Sequence, residues 1–236
     1  MPLLASPKGR SDGGYAVADF RTVQEELGTM EDLEALADRC REKGISLCLD
    51  FVMNHTSEDH EWAKAAREGD ELALACDIML HAWMLTQSGI PVLYSGDEVG
   101  QLNDYTYHAD PDKAADSRYV HRGGFDWDKA ELRKDPEALQ GKLFAGLRKL
   151  ERIRSEEAVF RADARVSTFD TGSHQVLGVC RELAGERLTA LFNFSERSIP
   201  VEMEACALTD LVEQKSITEE RIELPAYGFY WLKSMK

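Results

Sequence analysis

At 236 residues the chain has room for one large domain, or for a medium and a small one. Its apolar fraction of 43% is that of an ordinary soluble globular protein. A formal charge of -15 argues against nucleic acid or an anionic membrane as partner, because phosphate recognition needs concentrated Lys and Arg. The five cysteines (Cys40, Cys48, Cys76, Cys180, Cys206) are scattered and none has CxxC spacing, which excludes the usual zinc site and redox dithiol. No basic-then-apolar leader and no membrane-length apolar run is seen, so a cytoplasmic protein is expected.

Met1 to Leu4 reads as the end of a strand entering a polar, Gly-rich loop, Ser6 to Tyr15. Thr29 is a candidate N-cap for a helix carrying Leu33, Leu36 and Ala37 at helical spacing, with Gly44 as its C-terminal stop. The run Ser46 to Val52 is apolar around Asp50 and ends in Asn54 and His55, which predicts a buried strand of a βα unit. Glu58 to Arg67 reads as a helix with Trp62 on its apolar side. Glu71 to Gln87 reads as a second, with Leu72, Cys76, Met79, Leu80, Trp83 and Met84 as a buried stripe that ends at Ser88-Gly89. Ile90 to Tyr94 predicts a second buried strand, with Pro91 tolerated at its start.

Gln101 to Trp127 is a long polar and aromatic loop, a length that in compact domains usually carries function or disorder. Glu137 to Arg154 predicts an amphipathic helix. From Arg165 the pattern changes to short strands at Val166–Phe169, Gln175–Cys180, Arg187–Phe194, Ile199–Met203 and Tyr227–Leu232. Turns at Thr171-Gly172-Ser173 and Ala184-Gly185-Glu186 separate the first of them, predicting a small antiparallel sandwich. The four tryptophans, Trp62, Trp83, Trp127 and Trp231, read as packing residues.

Three stretches in order, Ser11-Asp12-Gly13-Gly14-Tyr15-Ala16-Val17, Asp50-Phe51-Val52-Met53-Asn54-His55-Thr56-Ser57 and Gly89 to Glu98, resemble the α-amylase superfamily of glycoside hydrolases and glucosyltransferases. Asn103-Asp104-Tyr105 and Asp116-Ser117-Arg118-Tyr119-Val120-His121-Arg122 make it similar to the amylosucrase branch, which splits sucrose and passes the glucosyl unit to an α-glucan. The resemblance implies an α/β chain. Residues 1–158 would be an incomplete (β/α)8 (TIM) barrel fragment: the end of strand two, then strand three, then strand eight. Residues 159–236 would be an antiparallel β-sandwich C-terminal domain.

It also implies roles. Asp12 and Arg118 would form a salt bridge closing the glucose pocket, Tyr15 would stack on the sugar, and His55 would hydrogen-bond a hydroxyl. Asp50 and Asn54 would be structural neighbours of the site. Taken alone, Asp12 is a turn residue, Tyr15 a core or rim aromatic, and His55 a structural histidine. Asn54 binds calcium in some relatives, but that site does not mark this branch, so no metal and no cofactor is expected. Asp97-Glu98 looks like an acid pair, yet adjacent strand residues face opposite ways and the family does not use this position for catalysis.

Retaining glycoside chemistry needs two carboxyl groups about 5 Å apart. In the superfamily the nucleophile follows strand four, the acid follows strand five, and a His-Asp pair follows strand seven. None of these patterns occurs here. The segment ending at Asp70 matches the helix after strand three, and Glu71 onward matches the helix before strand eight, so a seam is expected at 70/71. The residues ahead of Arg165 also fall well short of the roughly 250 of a complete barrel. The expectation is a catalytically dead remnant of an amylosucrase-type enzyme acting on sucrose and α-glucans; the alternatives are a non-catalytic sucrose or α-glucan binding module, or a half-enzyme completed by a partner chain. Exposed barrel strands would have to re-pair, self-associate, or be completed by a partner chain.

Overall fold

The computed structural model describes residues 3–7, 14–15, 17–45, 47, 71–102, 104–203 and 207–234. They fall in two compact units, Met1–Glu68 with Gln101–Asp126, and Gly69–Gly100 with Trp127–Lys236. The expected boundary at 158/159 lies inside the second unit.

In the first unit, β1 (Leu4–Ala5) pairs antiparallel with β2 (Asp19–Val23), with a shift of register between Leu4 and Ala5. The strand expected to end at Leu4 is met only at that residue, in an antiparallel ribbon, and Met1 and Pro2 lie outside the described residues. Helix α1 (Met30–Glu42) begins at Thr29 as expected. The Asp32 N–H donates to Thr29 Oγ1 at 3.2 Å and the Thr29 N–H donates to Asp32 Oδ2 at 3.0 Å, a reciprocal capping box. At its far end Gly44 takes φ +68, its N–H donates to the Arg41 carbonyl, and the Ile45 N–H reaches back to the Cys40 carbonyl. That double closure needs a left-handed residue, which is why glycine stands there. Despite this local support, no α1 residue is buried.

In the second unit, α2 (Glu71–Thr86) buries Cys76, Met79, Ala82, Leu85 and Thr86. The buried stripe is turned from the expected one: Leu72 is exposed, and Ala82 and Leu85 face inward. The short helix α3 (Trp127–Glu131) leads to α4 (Leu139–Glu156), which buries Leu143, Leu147, Leu150 and Ile153 at helical spacing. Gly141 is obligatory in α4, because a Cβ there would sit 1.8 Å from the Asp135 carbonyl oxygen.

The predicted strand Ile90–Tyr94 does not form. The segment lies outside every described strand, with Ile90 91% and Val92 78% exposed. Its apolar run is strand-like, but a strand exists only as a member of a sheet, and no described strand pairs with it. All strand pairs among the described residues are antiparallel.

Five of the C-terminal strands fall where the sequence places them, and three short ones, at Leu208–Asp210, Lys215–Ile217 and Arg221–Leu224, were not expected. In chain order the strands are β3 (Arg165–Phe169), β4 (Val176–Leu183), β5 (Glu186–Asn193), β6 (Ile199–Glu202), β7 (Leu208–Asp210), β8 (Lys215–Ile217), β9 (Arg221–Leu224) and β10 (Phe229–Ser234). Strands β3-β4-β5-β10-β7-β8 form one sheet and β6-β9 a second. Between them lies a core of Val176, Leu191, Leu208 and Leu232 from the larger sheet, with Val201, Ile222 and Leu224 from the smaller.

Because side chains alternate along a strand, the opposite face of the larger sheet carries Val179, Ala190 and Trp231 in one cross-strand row and Arg181 with Leu188 in the next. All five are buried. Trp231 Nε1 donates to Thr86 Oγ1 at 2.9 Å. Arg181 donates to the carbonyls of Thr86 (2.6 Å), Val159 (2.7 Å) and Arg161 (2.8 Å). Arg154 donates to the Leu85 and Gly89 carbonyls. The last carbonyls of α2, which a helix leaves without partners, are thus met by two arginines from later in the chain. The Phe160 ring lies within 6 Å of both guanidinium groups and its centroid is 4.7 Å from that of Trp231.

Candidate functional site

Of the sugar-site residues expected from the sequence, Asp12, Asp50, Asn54 and His55 lie outside the described residues. Tyr15 and Arg118 are described, and both belong to the first unit. Tyr15 is half-buried, and its carbonyl accepts the Val17 N–H at 3.1 Å.

Arg118 sits in a 3-10 turn, Ser117–His121, whose N-cap is Asp116. Its guanidinium grips both carboxylate oxygens of Asp116, Nε to Oδ1 at 2.8 Å and a terminal nitrogen to Oδ2 at 2.7 Å. The Arg118 backbone N–H donates to the same Oδ1 at 3.0 Å. These hydrogen bonds, first from the Arg118 side chain and then from its backbone, hold the Asp116 carboxyl down to about 2. The result is a fork fixed in direction yet 62% exposed, suited to a hydroxyl or a second carboxylate. The expected salt bridge to Asp12 falls outside the described residues.

Around this turn, the Tyr119 ring has the Lys113 ammonium 5.8 Å and the Arg122 guanidinium 6.0 Å from its centroid. Asp104 accepts from both the backbone and the hydroxyl of Thr106, at 2.8 and 2.6 Å, which lowers its pKa. The sequence reading missed Asp116 as the residue that orients Arg118. The signal was there, since an Asp two residues ahead can accept from the following backbone as an Asx turn.

The second unit holds a group of titratable side chains that the sequence reading also missed. His81 and Asp77 are one helical turn apart on α2, with Nδ1 2.8 Å from Asp77 Oδ1 and 2.9 Å from the Asp77 carbonyl oxygen. Burial works against the imidazolium. The Asp77 hydrogen bonds and charge, with the charge of Asp97, outweigh it and raise His81 to about 8. Burial raises Asp97 to about 6, against the lowering pull of the His81 charge and of the Tyr94 N–H.

Asp97 and Glu98 are not strand neighbours, as the sequence suggested. They open a 3-10 turn, Asp97–Val99, between two left-handed glycines, Gly96 and Gly100. Asp97 Oδ2 accepts the Tyr94 N–H at 3.2 Å and Glu98 Oε2 accepts the Gly96 N–H at 2.9 Å, so each carboxylate holds the turn. Among the tryptophans, Trp231 is packed as expected and Trp83 meets Phe194 edge-on, whereas Trp127 is 73% exposed. Trp62 lies outside the described residues. No group of three or more metal-binding side chains occurs among the described residues.

Residues 1–75 match the alpha amylase catalytic domain. A salivary alpha-glucosidase of Anopheles gambiae is 49% identical over 70 residues, 30% of this chain and 12% of the relative. A probable oligo-1,6-glucosidase 2 of Bacillus subtilis (strain 168) is 27% identical over 203 residues, 78% of this chain and 34% of the relative. The chain thus spans from about an eighth to about a third of the curated relatives it matches. Among solved structures, AmyP in complex with maltose superposes with a TM-score of 0.56 at 16% identity, over 68% of this chain and 35% of that one. The curated relatives include alpha-glucosidases, oligo-1,6-glucosidases and trehalose synthases. No described helix is long and apolar enough to cross a membrane.

Proposed function

We propose that this chain is the glucosyl-recognising part of an α-glucoside-active barrel of amylosucrase type, and that it binds sucrose or an α-glucan without turning it over. What supports the reading is the coincidence of two boundaries. The amylase-type match ends at residue 75, and the expected seam, across which the catalytic carboxylates would lie, is at 70/71. In this reading Asp12 and Arg118 wall the pocket, Tyr15 offers an aromatic face to the sugar's CH face, and His55 bonds a hydroxyl. The Asp116–Arg118 pair supplies a guanidinium whose direction is set by two hydrogen bonds to one carboxylate. Without a nucleophile and an acid, covalent and acid–base catalysis are lost together, each worth orders of magnitude. Residue 158/159 marks where barrel-derived sequence gives way to the β domain.

The test is calorimetry with sucrose, maltose and maltotriose alongside assay of glucose and fructose release. We expect saturable binding that Arg118→Ala and Tyr15→Ala weaken at least tenfold, and no release of product. Turnover abolished by His55→Ala would overturn the loss of chemistry. Absence of binding to all three sugars would overturn the recognition itself.

A second reading is favoured by one observation, the bare apolar ridge of Ile90 and Val92. It makes the chain one half of an enzyme whose remaining strands come from a partner. A mass above that of the monomer, measured on the chain taken from its own source, together with product release by that complex, is the outcome it requires.

A further inference from the structure

Helix α4 carries five cations, three of which are engaged by other elements. Lys142 Nζ lies 3.9 Å from Glu71, Lys149 Nζ lies 3.0 Å from Glu213, and Arg154 donates to the Leu85 and Gly89 carbonyls. Arg148 and Arg152 are exposed and meet no carboxylate among the described residues. They stand one turn apart, on the face turned away from the buried Leu143, Leu147, Leu150 and Ile153. With Ala145, Lys149, Glu151 and Ser155 they line an open trough of about 540 Å3 along the helix. The Ser155 hydroxyl is turned back onto the Arg152 carbonyl at 2.7 Å, so it leaves the space beside that guanidinium open.

Local chemistry does not account for the pair. Like charges four residues apart weaken a helix. Glu151 is three residues from Arg148 and Glu156 is four from Arg152, both spacings that allow pairing, yet neither ion pair forms. The helix dipole favours cations in the last turn, and that place is taken by Arg154.

Two unpaired guanidinium groups suit a pair of carboxylates, each met by parallel N–H groups. A neighbouring contact shows the chemistry on this helix: Glu213, from the turn between β7 and β8, brings its carboxylate to Lys149. Four residues of helix put Arg148 and Arg152 about 6 Å apart along the axis. That is the spacing of carboxylates at i and i+4 on a helix, or at i and i+2 on a strand. Glu151 in the lining and a chain charge of -15 oppose a continuous polyanion such as nucleic acid or an anionic bilayer, and the charge opposes a second copy. We propose that this face of α4 docks an acidic peptide segment of a partner protein, Arg148 and Arg152 each taking one carboxylate. The surface belongs to the second unit alone and works whether or not any sugar binds.

The test is fluorescence anisotropy of a labelled peptide alternating Glu with Ala, titrated with the full chain at low salt. We expect saturable binding that fades as salt is raised and is absent for the same peptide with Gln in place of Glu. Combining Arg148→Gln with Arg152→Gln should weaken it by about tenfold or more. Gln forms helix about as well as Arg, and circular dichroism checks that the double variant keeps its fold. Lys142→Gln, a charge lost from the same helix outside the trough, should leave binding unchanged. No binding of the Glu peptide, equal binding of the Gln peptide, or equal losses in the double variant and in Lys142→Gln overturns the proposal. So does tighter binding to phosphatidylserine vesicles or duplex DNA than to the peptide, or a monomer–dimer equilibrium that the double variant abolishes.

Discussion

The larger C-terminal sheet and the segment Ile90–Tyr94 have similar strand-forming sequences and opposite fates. Residues Val176–Leu183 and Glu186–Asn193 are joined by Ala184 and Gly185, both at positive φ, and zip together over eight consecutive cross-strand pairs. These two strands find each other across a two-residue turn, and the sheet is then covered on both faces. Ile90–Tyr94 is equally apolar but pairs with no described strand, and Ile90 and Val92 stand in solvent. The difference lies in the distance to a partner. An antiparallel hairpin carries its partner with it, whereas a parallel strand depends on segments a dozen or more residues away.

The first way to break this comparison is to uncover the sheet. Arg181→Met keeps the apolar stem but strands the carbonyls of Thr86, Val159 and Arg161 in a dry place, each a loss of about 1–3 kcal/mol. We expect the sheet and α2 to be destabilised by about 4 kcal/mol, read as a lower midpoint in urea followed by Trp231 fluorescence. A smaller effect should come from α1, which has good caps but buries nothing. Thr29→Ala removes the capping box and should cost about 1 kcal/mol, seen as faster amide exchange confined to Met30–Glu42 with the sheet unaffected. The smallest belongs to the bare ridge. Ile90→Ser with Val92→Ser should change stability by less than about 0.5 kcal/mol while reducing aggregation on storage. A large loss of stability there would mean that the ridge is covered in solution.

The same contrast explains what could be read from the sequence. Thr29 and Gly44 act on the backbone within a turn of where they stand, so α1 was legible to the residue. The turns at Gly172 and Gly185 were legible for the same reason. The strands β7, β8 and β9 were not, because at three or four residues each is too short for its pattern to stand out. At the site, Arg118 was found by resemblance, but the carboxylate that orients it was not. The His81–Asp77–Asp97 cluster was hidden because Asp97 comes sixteen positions after His81, and only the fold brings its charge to bear.

The two arginines that close the end of α2 bear on how the molecule can be dissected. A fragment begun at Arg165 would look tidy on paper, since every strand of the larger sheet is inside it. It would nevertheless leave Trp231 bare and Arg181 without Thr86, Val159 and Arg161 to point at. Such a fragment should stick to itself. The scissors belong ahead of Glu71.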